Sequence, residues 1–170
     1  DVSISTWTSV DTTGRMGDVE KLETAAQGRS LTVRVFVGKV VTTASTSDFT
    51  RRALTKVVRS LIVVAKAAQP DEYAGLPDKE DLASLIPDLD LADTSMSKLS
   101  VADKIAMAKA CEDAALGFDG RINNSQGASF SDSFGLTVYA NSRGFTGSYN
   151  GSRCSLSCSV VAQQGDSMQT

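Results

Sequence analysis

The chain has 170 residues, 41% of them hydrophobic and 22% charged, with a formal net charge of −3 and a pI near 4.9. That composition suits a globular domain with a real core, and no apolar run approaches the ~20 residues a membrane span needs. The acidic balance argues against general nucleic-acid binding, where a basic face supplies the affinity.

The first third reads as strands. "VSISTWTSV" (2–10) alternates Val2, Ile4, Thr6, Thr8 and Val10 against Ser3, Ser5, Trp7 and Ser9. "TTGRMGD" is a turn punctuated by Gly14 and Gly17. "DVEKLETAAQG" is short and glycine-flanked and reads as a second strand, with Glu20 and Glu23 on the surface. "SLTVRVFV" and "VVTTAST" flank Gly38-Lys39 as a hairpin. The period then changes. Thr46-Ser47-Asp48 offers N-cap oxygens. Leu54, Val57, Val58, Leu61, Ile62, Ala65 and Ala68 follow at spacings of three and four, one stripe on a helix of about five turns that Pro70 ends.

Residues 70–93 hold eight Asp/Glu and one Lys and, with Pro70, Pro77 and Pro87, read as a solvated connector running to residue 99. A second amphipathic helix starts at Ser100, with Asp103 placed for a capping box, and ends near Gly117. Cys111 inside it reads as a buried structural thiol. From residue 121 on, "GASFSDSFG", "LTVYANSRG", "FTGSYNGSR" and "CSLSCSVVAQQGD" are short alternating runs, with Asn150-Gly151 as the strongest hairpin signal. Residues 28–41 and 152–165 share a faint internal repeat. The order predicts an α+β fold: an antiparallel sheet with two helices packed on one face and strand groups before and after them, in one domain spanning 1–170.

Cys154 and Cys158 lie four apart in one strand pattern, roughly 13 Å at ~3.3 Å per residue. A disulfide needs Cα atoms within about 7 Å, and a shared zinc needs both sulfurs about 2.3 Å from one ion. The pair therefore reads as a core stripe with Leu156 and Val160, while Ser155, Ser157 and Ser159 face the other way. The chain has no histidine, which removes a Ser-His or Cys-His dyad and any His₂ zinc site. No G-x-S-x-G occurs, and Gly38-Lys39 is not a phosphate loop. The runs "NNSQGASFSDS" and "NSRGFTGSYNGS", rich in Ser, Asn and Gly, can instead present an edge or a flat face to an extended peptide. An odd cysteine count without an export signal predicts a reducing cytoplasm. A first residue other than Met, and an end just past a strand pattern, predict a piece of a longer chain.

The ordered set "GDVEKLETAAQGRSLTVRVFVGKVVTTASTSDFT", "PDEYAGLPD", "PDLDLAD", then "RINNSQGASF" (121–130) and "NSRGFTGSY" (141–149) resembles the N-terminal region of the PmbA (TldE) branch of the TldD/PmbA metallopeptidase family. The resemblance implies a cytoplasmic subunit of a heteromeric protease acting on unfolded or modified peptides. It implies a TldD-like partner that carries zinc on an H-E-x-x-x-H helix, and an indirect link to DNA gyrase. No metal ligand transfers to this chain, so no cofactor is expected in it. Its part would be assembly and peptide binding rather than catalysis, with no direct nucleic-acid and no membrane partner. Arg121, Asn124, Ser125 and Tyr149 are the candidate peptide- or partner-contacting residues, because they are polar and lie in the best-matching strand segments. For Arg121 the structural alternative is burial against the connector's aspartates. The alternatives for the whole chain are a non-enzymatic peptide- or protein-binding module and a regulator linked to gyrase.

Overall fold

Alternating and 3.6-period segments resolve into six strands and two helices in a computed structural model that describes residues 1–20, 28–96 and 98–170. The strands are β1 (Val2–Arg15), β2 (Asp18–Val37), β3 (Val40–Thr46), β4 (Ile122–Ala140), β5 (Thr146–Gln164) and β6 (Ser167–Gln169). The helices are α1 (Arg51–Ala65) and α2 (Val101–Leu116), both between β3 and β4 in the chain. The fold is α+β with an antiparallel sheet, in the order β3-β2-β1-β4-β5-β6. β2 and β3 form the expected hairpin, from Leu31↔Thr46 to Val37↔Val40, closed at Gly38 with φ of 60°. Met16 and Gly17 turn β1 into β2 with both φ positive, as a two-residue hairpin turn of matching twist requires.

Four short runs were expected on each side of the helices, yet the structure has three strands on each side, several of them long. Glycine was read as punctuation, and two glycines are instead seats for a side chain. A Cβ on Gly28 would overlap the Trp7 indole, and one on Gly135 would lie 2.7 Å from the Thr6 carbonyl and 3.4 Å from Trp7 Cβ. The strands therefore run through these positions because only a bare backbone lets Trp7 lie there. Asn150-Gly151 is likewise inside β5 and not a turn. The turn lies at residues 141–145, where Asn141 Oδ1 accepts the N–H groups of Arg143 (3.0 Å) and Phe145 (3.2 Å), and Asn141 N–H closes on the Phe145 carbonyl at 3.0 Å. That asparagine-centred network satisfies several backbone groups at once.

The chain divides into two compact units. The first comprises Asp1–Trp7, Gly28–Leu91 and Gly135–Asn150. Its core is Leu31, Val33 and Leu61, packed by Val2, Ile4, Val35, Leu54 and Val57. α1 thus buries part of the expected stripe; Val58 and Ile62 are 37% exposed. Its cap is Thr50, whose hydroxyl accepts the Ala53 N–H at 3.3 Å, while Asp48, two residues earlier, accepts the Thr50 N–H. Thr42 hydroxyl donates to the Leu61 carbonyl at 3.1 Å and ties β3 to α1. The connector is mostly exposed but anchored: Asp71 N–H donates to the Lys39 carbonyl at 2.7 Å, and Arg143 pairs with Asp78 at 2.7 Å.

The second unit comprises Thr8–Gln27, Ala92–Phe134 and Gly151–Thr170. Its core is Ala108, Ala128 and Phe130, packed by Met96, Leu99, Cys111 and Cys158. Ser100 and Asp103 make the expected capping box, the Ser100 hydroxyl accepting the Asp103 N–H at 3.1 Å and the Asp103 carboxylate accepting the Ser100 N–H at 2.9 Å. The buried stripe of α2 is Lys104, Ala108 and Glu112. Two charged residues therefore face the sheet, and each needs a partner there. Lys104 finds one in Asp132 of β4 at 2.6 Å, both side chains nearly buried.

Candidate peptide-binding edge

β4 runs between β1 and β5, so "NNSQGASFSDS" belongs to an interior strand and offers no edge. β5 does. Its only outer neighbour among the described residues is β6, which pairs with Ala162–Gln164 and no further. Gln163 N–H donates to the carbonyl of Arg121, the residue before β4, at 2.8 Å, and the Ser159 carbonyl accepts the hydroxyl of Ser125 in β4 at 3.4 Å. Odd-numbered residues of β5 thus turn their backbone groups toward β4. By the alternation of a strand, those of Leu156, Cys158 and Val160 point outward. No strand lies against that outward row among the described residues, which leaves a ladder of N–H and C=O groups for an extended chain.

Arg121 immediately precedes β4, on the side of β5 opposite the outward row. It is exposed, and it grips Asp119 through Nε at 2.9 Å and Nη2 at 2.8 Å. The alternative of a buried Arg121 paired with connector aspartates is therefore corrected: Asp119, two residues away on the same turn, takes the guanidinium first. Side-chain and then backbone hydrogen bonds from Arg121 hold the Asp119 carboxyl far below the usual carboxylate range. Arg121 and Asp119 line a cleft of about 300 Å³ whose other walls include Phe118, Ile122, Ala162 and Gln163. Asn124 is exposed, and its side chain accepts the Ser125 N–H at 2.9 Å. Ser125 is fully buried, with its hydroxyl accepting the Gly127 N–H at 2.8 Å, so it is unavailable to a peptide in this conformation. Tyr149 is 54% exposed and belongs to the first unit, and Arg121, Asn124 and Ser125 belong to the second.

The cysteine stripe is corrected in part. Cys154 is exposed and Leu156 is 47% exposed, while Cys158 and Cys111 are half-buried and all three thiols are free. The apolar packing around Phe130 reaches Cys158 and stops there. Burial pushes the Cys158 thiol pKa up, with smaller contributions from Cys111 and Glu112. A maleimide reagent at neutral pH is expected to label Cys154 well before Cys158, because the thiolate is the reacting form. Equal labelling rates, followed by peptide mass mapping, would contradict this packing.

Glu112 is the residue sequence reasoning missed. It is 2% exposed on α2. Burial raises its pKa, but the Ser125 hydroxyl, the N–H groups of Met16 and Gly17, and Arg15 together outweigh it and leave the pKa lowered. The available signal was its spacing, four residues from Ala108 and eight from Lys104 on one helical face. Among the described residues no three His, Cys, Asp or Glu side chains converge on one point. No helix of the described residues is long and apolar enough to cross a membrane.

Residues 95–170 match the PmbA/TldA metallopeptidase central domain family. The chain is 36% identical over 169 residues to the Haemophilus influenzae metalloprotease PmbA homolog, covering 99% of this chain and 37% of that protein. It is 34% identical over 169 residues to Escherichia coli metalloprotease PmbA, with the same coverage of 99% and 37%. The chain belongs to the PmbA branch of the TldD/PmbA family. It spans little more than a third of the length of these PmbA relatives. A Bacteroides thetaiotaomicron crystal structure, described as a modulator of DNA gyrase, superposes with a TM-score of 0.84 at 27% identity over 98% of this chain and 38% of that one. TldE from Thermococcus kodakarensis shares the fold, with a TM-score of 0.67 at 17% identity over 99% of this chain and 38% of that one.

Proposed function

We propose that this chain is the assembly and peptide-holding part of a cytoplasmic PmbA-type subunit, and that an extended peptide adds to β5 as a further strand. The observation that carries this reading is the outward row at Leu156, Cys158 and Val160, beyond the short cover of β6. Main-chain hydrogen bonds there accept many sequences, which suits a substrate class of unfolded or modified peptides. On the β4 side of the same strand, the exposed Arg121 and Asn124 are candidate partner contacts. A histidine-bearing TldD-like partner supplies the zinc that activates water for hydrolysis. In this chain no step runs through a metal.

The test is peptide cleavage by the full-length protein, alone and mixed with a TldD-type partner, with and without a chelator. Chelator-sensitive cleavage only in the mixture is the expected result. Cleavage in neither sample would favour a non-enzymatic peptide-binding module built on the same edge. Leu156→Pro tests the edge itself. Its lost N–H points outward, so the β4–β5 ladder survives, as edge strands tolerate proline. Peptide capture is expected to weaken by up to about tenfold, the loss of one net hydrogen bond. Undiminished capture by a folded Leu156→Pro protein would sink the strand-addition reading.

A further inference from the structure

We infer that Thr12 Oγ1 and Glu112 Oε1 share one buried water molecule beneath α2. Thr12 is 1% exposed on β1 and Glu112 is 2% exposed on α2. Each of these two oxygens is sealed from solvent without a hydrogen-bond partner among the described residues. A buried carboxylate oxygen or hydroxyl left bare is costly, so two bare atoms lining one cavity need a common answer. Both residues line the same small cavity, with Val19, Ile105, Ala108 and Lys109 around it. Its volume is about 20 Å³, and a single water needs about 10–15 Å³ measured in the same way.

The chemistry selects water over the other small occupants. Water donates to the carboxylate oxygen and accepts the threonine O–H, so it satisfies both atoms at once. A divalent cation wants about six or more oxygens, and this cavity offers few. Lys109 also lines it and Arg15 acts on the same carboxylate, so positive charge is already supplied. The second unit is therefore tied together there by a bridge from β1 through water to α2. This inference is independent of the peptide-binding reading.

The experiment is a crystal structure of the full-length protein at a resolution that shows ordered water, together with Thr12→Val and Thr12→Ser variants. The expected result is one density peak within hydrogen-bond distance of both oxygens. Thr12→Ser keeps that peak and the wild-type Tm. Thr12→Val loses the peak and lowers Tm, because the methyl leaves the carboxylate oxygen bare. An empty cavity, a direct Thr12–Glu112 hydrogen bond, or a peak with metal-length oxygen contacts would each overturn the inference. So would a Thr12→Val structure that holds the same water with unchanged Tm. If Thr12→Val does not fold, the wild-type density alone decides.

Discussion

Asp132→Ala is expected to lower the unfolding free energy by about 3–5 kcal/mol, the cost of breaking a buried pair from one side. Lys104 sits 2.6 Å from the Asp132 carboxylate with its own side chain 6% exposed. Without Asp132 the ammonium remains in the core with no counter-charge. An unpaired buried charge of that kind costs stability. The measurement is urea unfolding of the variant against wild type at constant pH. The paired replacement Lys104→Met with Asp132→Leu separates the two contributions. It removes both desolvation penalties, so its stability is expected near wild type or above it by about 1–4 kcal/mol. A loss under about 1 kcal/mol for Asp132→Ala alone, inside the range of surface pairs, would mean that Lys104 reaches solvent.

Phe130→Ala carries a comparable effect by a different route. Phe130 is 2% exposed at the centre of the second unit, against Ala108 and Ala128, with Met96, Leu99, Cys111 and Cys158 around it. Truncation removes the transfer free energy of the ring and leaves a cavity that two neighbouring alanines cannot fill. About 3–5 kcal/mol is the usual cost. That is a large fraction of the 5–15 kcal/mol by which domains are typically stable. The same variant is expected to speed maleimide labelling of Cys158, since the ring helps to shield it. Unchanged Cys158 labelling alongside a large stability loss would place the shielding elsewhere, on α2 itself.

Several of these features were readable one residue at a time. The Gly38-Lys39 hairpin, the Ser100–Asp103 capping box and the change of period at α1 depend on neighbours within four positions, and the structure has all three. The strand lengths were not readable in that way. Gly28 and Gly135 look like breaks because a bare backbone is ordinarily a turn signal, and here they make room for Trp7 across adjacent strands. Asn150-Gly151 looks like a turn, but Asn141 holds the competing one with a denser local network.

The candidate site divides in the same manner. Arg121 and Asn124 are exposed as a contacting residue must be, whereas Ser125, equally polar in sequence, is fully buried. Residue type did not separate them, because burial of a serine depends on what crosses above it. Of the expected cysteine stripe, Cys158 meets the Phe130 packing and Cys154 is exposed.

By itself the sequence determined the two helices, the first hairpin, the α+β class and membership of the PmbA branch, since local periodicity, caps and residue identity travel with the chain. The tertiary structure alone decided the strand order that leaves β5 with an open flank, the pairing of Lys104 with Asp132, and the burial of Glu112 beside Thr12. Those outcomes join residues far apart in sequence. Desolvation and hydrogen-bond pairing act only once the fold has brought such residues together.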